Sequence, residues 1–183
     1  MTEITVPRLE LLAALAAAAA VVSAALIVVL HPLLVRYALA RPNARSSHRE
    51  PTPQGGGMAV IAAIVLAIAG LALTAPATLD GPVRLAIVLA ATVALAIVGA
   101  VDDVRPVEEI PRLMLQAAAV AVVVIALPAD LRAVPELPWW VERAVFFVGG
   151  IWFVNLVNFM DGIDWITVAE VVPITAALVL FGA

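Results

Sequence analysis

From Asn155 to Asp164 the chain reads Asn-Leu-Val-Asn-Phe-Met-Asp-Gly-Ile-Asp, two amides and two carboxylates within ten residues. The stretch closes a hydrophobic run, and carboxylates at a membrane edge are costly enough that they usually serve a function. Asn155 and Asn158 are three apart, as are Asp161 and Asp164, a spacing that puts each pair on one helix face. A second acidic pair, Asp102-Asp103, ends another hydrophobic run. Adjacent carboxylates point in different directions, so one can hold a cation while its neighbour faces a substrate. Mg²⁺ favours such sites, completing its shell with phosphate oxygens and water. A third segment, His48-Arg49-Glu50-Pro-Thr-Pro-Gln-Gly-Gly-Gly57, joins basic residues to a glycine run. Glycine lets backbone approach a phosphate, helix N-termini attract anions, and an arginine can fork onto phosphate oxygens. Together these residue types point to a site for a divalent cation and phosphates at a membrane surface. Plainer readings exist for each: Asp102-Asp103 as a solvated helix end with Arg105 as local partner, Asp164 as a helix N-cap, and the glycine run as a flexible loop.

Composition restricts the class of protein that holds them. Of 183 residues 64% are hydrophobic and 13% charged, against about 45–50% and about 25% in soluble domains. With a mean hydropathy of +1.13, this is an integral membrane protein. Cysteine is absent, which excludes disulfides and thiolate metal sites. All ten basic residues are arginine, so Schiff-base chemistry and a phosphate-binding lysine are excluded as well.

Six hydrophobic runs of near-spanning length occur, at 9–30, 57–74, 83–101, 113–128, 144–159 and 165–183. They predict an all-α polytopic bundle forming a single membrane domain over 1–183, the first helix continuing towards Ala40. Small residues pervade the runs, as suits close helix packing in lipid. Loops are expected at 41–56, 75–82, 102–112, 129–143 and 160–164, with Trp139-Trp140 as an interfacial anchor. Glu170, inside the last run, should face the bundle interior and find a partner. The loops after spans one, three and five must share one side of the membrane. Those loops carry all three polar clusters. Arg36, Arg41, Arg45, Arg49, Arg105 and Arg112 accompany them, against Arg8, Arg84, Arg132 and Arg143 on the other side. The positive-inside bias then puts the clusters in the cytoplasm and the N-terminus outside.

The ordered set of His48 to Gly57, Asp102-Asp103 with Arg112 and Gln116 downstream, and Asn155 to Asp164 resembles the polyprenyl-phosphate N-acetylhexosamine-1-phosphate transferases, glycosyltransferase family 4. These bacterial inner-membrane enzymes include the undecaprenyl-phosphate GlcNAc-1-phosphate transferases of cell-wall and surface-polysaccharide synthesis. The resemblance implies transfer of a sugar 1-phosphate from a UDP-sugar to undecaprenyl phosphate, releasing UMP at the cytoplasmic face. It implies Mg²⁺ as cofactor, with Mn²⁺ as a substitute, and membrane lipid but no nucleic acid among the partners. By the same resemblance Asp102 and Asp103 are the catalytic pair, and Asp103, Asp161 and Asp164 are metal ligands. His48, Arg49, Asn155, Asn158, Asp161 and Asp164 would bind substrate. Oligomeric state, the choice of sugar, and direct attack against an enzyme-linked intermediate are left open.

The chain departs from the family pattern in several ways, one of them Trp165, where many members have glycine after the final Asp of the Asp-Gly-Ile-Asp motif. The resemblance implies about ten spans, whereas at about 20 residues each this chain has room for six. Neither the family's later Gly-Asp metal motif nor its His- and Arg-rich loop is present. Residues 1–183 are therefore expected to be the N-terminal part of a larger transferase and inactive by themselves. The alternatives are a non-enzymatic bundle or transporter fragment, which would place its acidic groups nearer the bilayer midplane, and a subunit that binds lipid carrier without catalysis.

Overall fold

The computed structural model describes residues 6–40, 51–79, 81–160, 169 and 171–175. Five helices long and apolar enough to cross a membrane occur among them: α1 Val6–Tyr37, α2 Gly56–Thr74, α3 Pro82–Val104, α4 Glu109–Ala126 and α5 Trp139–Met160. The protein is an all-α, multi-pass membrane bundle. Each helix packs against the next in sequence, as short connections between antiparallel neighbours require. Of the sixth hydrophobic run only Ala169 and residues 171–175 are described, and these are helical.

The buried apolar set is almost entirely alanine: Ala38, Ala59, Ala63, Ala91 and Ala119, with Val120. Large residues such as Val28, Leu73 and Ile125 lie outward. Lipid removes the hydrophobic drive between helices, so contact depends on small side chains that let backbones approach. Gly150 marks such an approach, since a Cβ built there would lie 2.8 Å from Val120 Cγ1 on α4.

Helix ends follow backbone chemistry more closely than hydropathy. Helix α3 runs past its apolar stretch, so Asp102 and Asp103 sit in its last turn and not in a loop. It stops at Arg105, which precedes Pro106 and is extended, because proline disfavours the helical conformation in the residue before it. Leu127 ends α4 in the same way before Pro128. The expected loop 129–143 is also shorter than hydropathy implied, because Trp139, Trp140, Glu142 and Arg143 belong to α5. Beyond α1 the chain does not stay helical to Ala40. Instead β1 (Leu39–Ala40) pairs antiparallel with β2 (Thr52–Pro53). Gly55 follows with φ 87°, a left-handed conformation where a Cβ would press to 3.1 Å from Leu34 Cδ2.

The connection between α4 and α5 is clamped by charge. Glu142 is 1% exposed. Its Oε1 accepts the N–H groups of Ala133 and Val134 at 2.6 and 2.9 Å, and its Oε2 accepts from Arg132 Nε at 2.6 Å. Arg132 also donates to the carbonyls of Pro135 and Leu137. Arg143 donates to the carbonyls of Pro128 and Leu131 at 2.6 and 3.1 Å, with its guanidinium over the Trp139 and Phe146 rings. A carboxylate buried among donors leaves several groups unpaired when it is removed. Glu142→Ala should therefore speed tryptic cleavage after Arg132 by about tenfold or more, because proteolysis follows the population of the opened loop. A time course unchanged from wild type would show that this carboxylate does not order the connection.

Candidate functional site

The end of the bundle away from that clamp collects the polar residues. Here the C-terminal turns of α1, α3 and α5 meet the N-terminal turns of α2 and α4. Met58 of α2 shares an apolar groove with Val101 and Val104 of α3, and Asp102 of α3 shares a cleft with Arg112 of α4 and Asn158 of α5. The β1–β2 pair, Leu39–Ala40 against Thr52–Pro53, lies between α1 and α2 at this same end.

The cleft has a volume of about 240 Å³. Its walls are Leu95, Val98 and Gly99 of α3 with Val154 and Val157 of α5, and its polar lining is Asp102, Arg112, Gln116 and Asn158. Asp102 is bound on both oxygens: Oδ1 accepts the Val107 N–H at 2.8 Å and Oδ2 accepts Arg112 Nη1 at 2.9 Å. One side chain thereby joins the end of α3, the linker and the first turn of α4. Its partner is Arg112, ten residues on, and not the nearby Arg105. A carboxylate in the last turn of a helix sits at the negative end of the helix dipole, where anions are disfavoured. Arg112 and the Val107 N–H offset that cost for Asp102.

Gln116 lies one turn beyond Arg112 on the same face of α4. It is 5% exposed, and its Oε1 has no hydrogen-bond partner. In the sequence Gln116 stands out only as part of a motif, and its i, i+4 relation to Arg112 is the one signal that both face one cavity.

The other expected site residues fall in different places. Asp103 is exposed and does not line the cleft. Asn158 does line it, whereas Asn155 Nδ2 donates back to the Ile151 carbonyl at 2.9 Å. His48, Arg49, Asp161 and Asp164 lie outside the described residues, as does Glu170. Asp161 directly follows the last residue of α5 in sequence.

Among the described residues no group of three or more histidine, cysteine or acidic side chains gathers in one place. Both Asp102 oxygens are taken by Arg112 and the Val107 N–H, so the described lining of the cleft does not by itself assemble a cation site.

No curated protein and no solved structure matches the chain significantly. The family model described as glycosyl transferase family 4 matches residues 85–183, from the first turn of α3 through the acidic stretch beyond α5, and so includes every described residue that lines the polar cleft. The chain belongs to glycosyl transferase family 4, as a multi-pass membrane protein whose matched helices build that cleft.

Proposed function

We propose that this protein takes part in transferring a sugar 1-phosphate, N-acetylhexosamine 1-phosphate in the first instance, from a UDP-sugar to undecaprenyl phosphate at the cytoplasmic face of a bacterial inner membrane. The observation that carries this reading is the convergence of Asp102, Arg112 and Asn158, from three helices, on one cleft at one end of the bundle. In the reaction an oxygen of the lipid phosphate forms a bond to the β-phosphorus of the UDP-sugar. The bond from that phosphorus to the bridging oxygen breaks, and UMP leaves with the electron pair. The nucleophile is already an anion, so the protein's task is positioning and charge neutralisation. Arg112, held by Asp102, supplies a fixed positive charge at the cleft, and Arg49 and His48 add phosphate contacts from the segment between α1 and α2. Asn155 and Asn158 border the nucleotide-sugar site. Asp103, Asp161 and Asp164 would hold Mg²⁺, which when bound offsets repulsion between the two phosphorylated substrates.

The test is Mg²⁺-dependent binding of UDP-GlcNAc to the chain in lipid nanodiscs, measured by titration calorimetry for wild type and Asp103→Ala. Binding that needs Mg²⁺ and is lost in the variant supports the reading. Binding indifferent to Mg²⁺, or none, would favour a non-enzymatic bundle or a transport role.

A further inference from the structure

We infer that Gln116 contacts the nucleotide sugar directly, its amide oxygen accepting a hydrogen bond from a hydroxyl or amide N–H of the sugar. The inference rests on the reading above and adds to it a residue that discriminates between the two substrates. Gln116 is 5% exposed in a cleft whose aliphatic walls include Leu95, Val98, Val154 and Val157. A buried carbonyl oxygen without a donor is rare and unfavourable, and leucine would fill the same space without that cost. The nearby donors do not meet it. Arg112, one turn towards the rim, gives Nη1 to Asp102, and Oε1 of Gln116 remains unpartnered.

An unclaimed acceptor calls for a ligand that donates. A phosphate monoester dianion carries no donor, so the lipid phosphate does not satisfy Oε1. A nucleotide sugar carries several, on the hydroxyls and the acetamido group. The arrangement also has a direction. A phosphate held by Arg112 at the rim would leave an attached polar group about one helical turn, some 5–6 Å, deeper, at the level of Gln116. Gln116 therefore recognises the group attached to the phosphate, while Arg112 takes the charge.

Titration calorimetry on the full 183-residue chain in nanodiscs with Mg²⁺ tests this, with UDP-GlcNAc and UMP as probes. Gln116→Leu is expected to weaken UDP-GlcNAc about tenfold or more, because a site built to hydrogen-bond a ligand group loses heavily without that bond. UMP, which lacks the sugar, should bind the variant within about twofold of wild type, there being no contact to lose. Gln116→Asn, which keeps the amide but shortens its reach by a methylene, should behave as Gln116→Leu does. Because the leucine removes an unsatisfied buried oxygen, its thermal midpoint should match or exceed that of wild type. Equal affinity of wild type and Gln116→Leu for UDP-GlcNAc would overturn the inference. So would an equal loss for both probes, which would move the contact to the nucleotide. A leucine variant that fails to fold would overturn it too, since the oxygen would then have a structural partner. Failure of wild type to bind UDP-GlcNAc at all would instead remove the underlying reading, and the inference with it.

Discussion

Asp102→Ala is expected to weaken Mg²⁺-dependent UDP-GlcNAc binding by about 30-fold or more, since truncating one partner of a hydrogen-bonded charge pair costs about 2–5 kcal/mol. The reason is that the carboxylate does two things at once. It holds the Arg112 guanidinium at the cleft and it receives the Val107 N–H of the linker between α3 and α4. Removal frees the arginine to leave the cleft and leaves a backbone donor without its acceptor. Loss of hydrogen bonds to a charged group should also lower stability by about 1.5–3 kcal/mol. Asp102→Asn keeps the shape and can still accept from Val107, but lacks the charge that pairs with Arg112. It should retain most of the stability and lose most of the affinity. Calorimetric titration and unfolding in nanodiscs separate the two effects. If both variants bind as wild type does, the Asp102–Arg112 pair has no part in ligand binding.

Gly150→Leu should have the larger structural effect. A Cβ at residue 150 would already stand 2.8 Å from Val120 Cγ1 and 3.8 Å from Cγ2. Val120 is buried and β-branched, with little rotamer freedom to move aside. Overpacking of this kind costs about 1–3 kcal/mol for small insertions, and a leucine adds three further carbons. Relief requires α5 to move away from α4. Val154, Val157 and Asn158, which line the cleft from α5, lie up to about 12 Å further along the same rigid helix. The variant should therefore unfold more readily and lose nucleotide-sugar affinity together. Gly150→Ala should show the milder form of both defects, and adding Val120→Ala should restore them, a coupling that a double-mutant cycle measures. Gly149→Ala serves as the control, because nothing lies within 4 Å of its added Cβ. Equal behaviour of the alanine variants at 149 and 150 would show that the helices tolerate the extra atom.

The architecture was largely legible from hydropathy. The first five runs all became helices, because in lipid every backbone polar group must be satisfied within its own segment. Parity also had physical content. Short connections between antiparallel neighbours bring the C-terminal turns of α1, α3 and α5 to one end, and Asp102 and Asn158 accordingly line one cleft although they are 56 residues apart. Helix ends were less legible. Hydropathy registers contact with lipid, whereas a helix continues until its hydrogen bonding is interrupted, as at Arg105 before Pro106 and Leu127 before Pro128. That difference placed Asp102 and Asp103 inside α3 and drew Glu142 and Arg143 into α5.

The residues themselves were sufficient to establish a membrane bundle, its helix order, the end that carries the polar groups, and the resemblance that the family match over 85–183 supports. Packing decided which of those groups act together. Arg112 and not Arg105 pairs with Asp102, Gln116 is left with an empty acceptor, Asn158 and not Asn155 faces the cleft, and Glu142 closes a clamp at the far end. Each of these depends on the rotation of a helix about its axis and on how closely its neighbour approaches. A pattern of apolar residues reports burial along the chain. It carries no term for the direction of one side chain relative to another on a different helix.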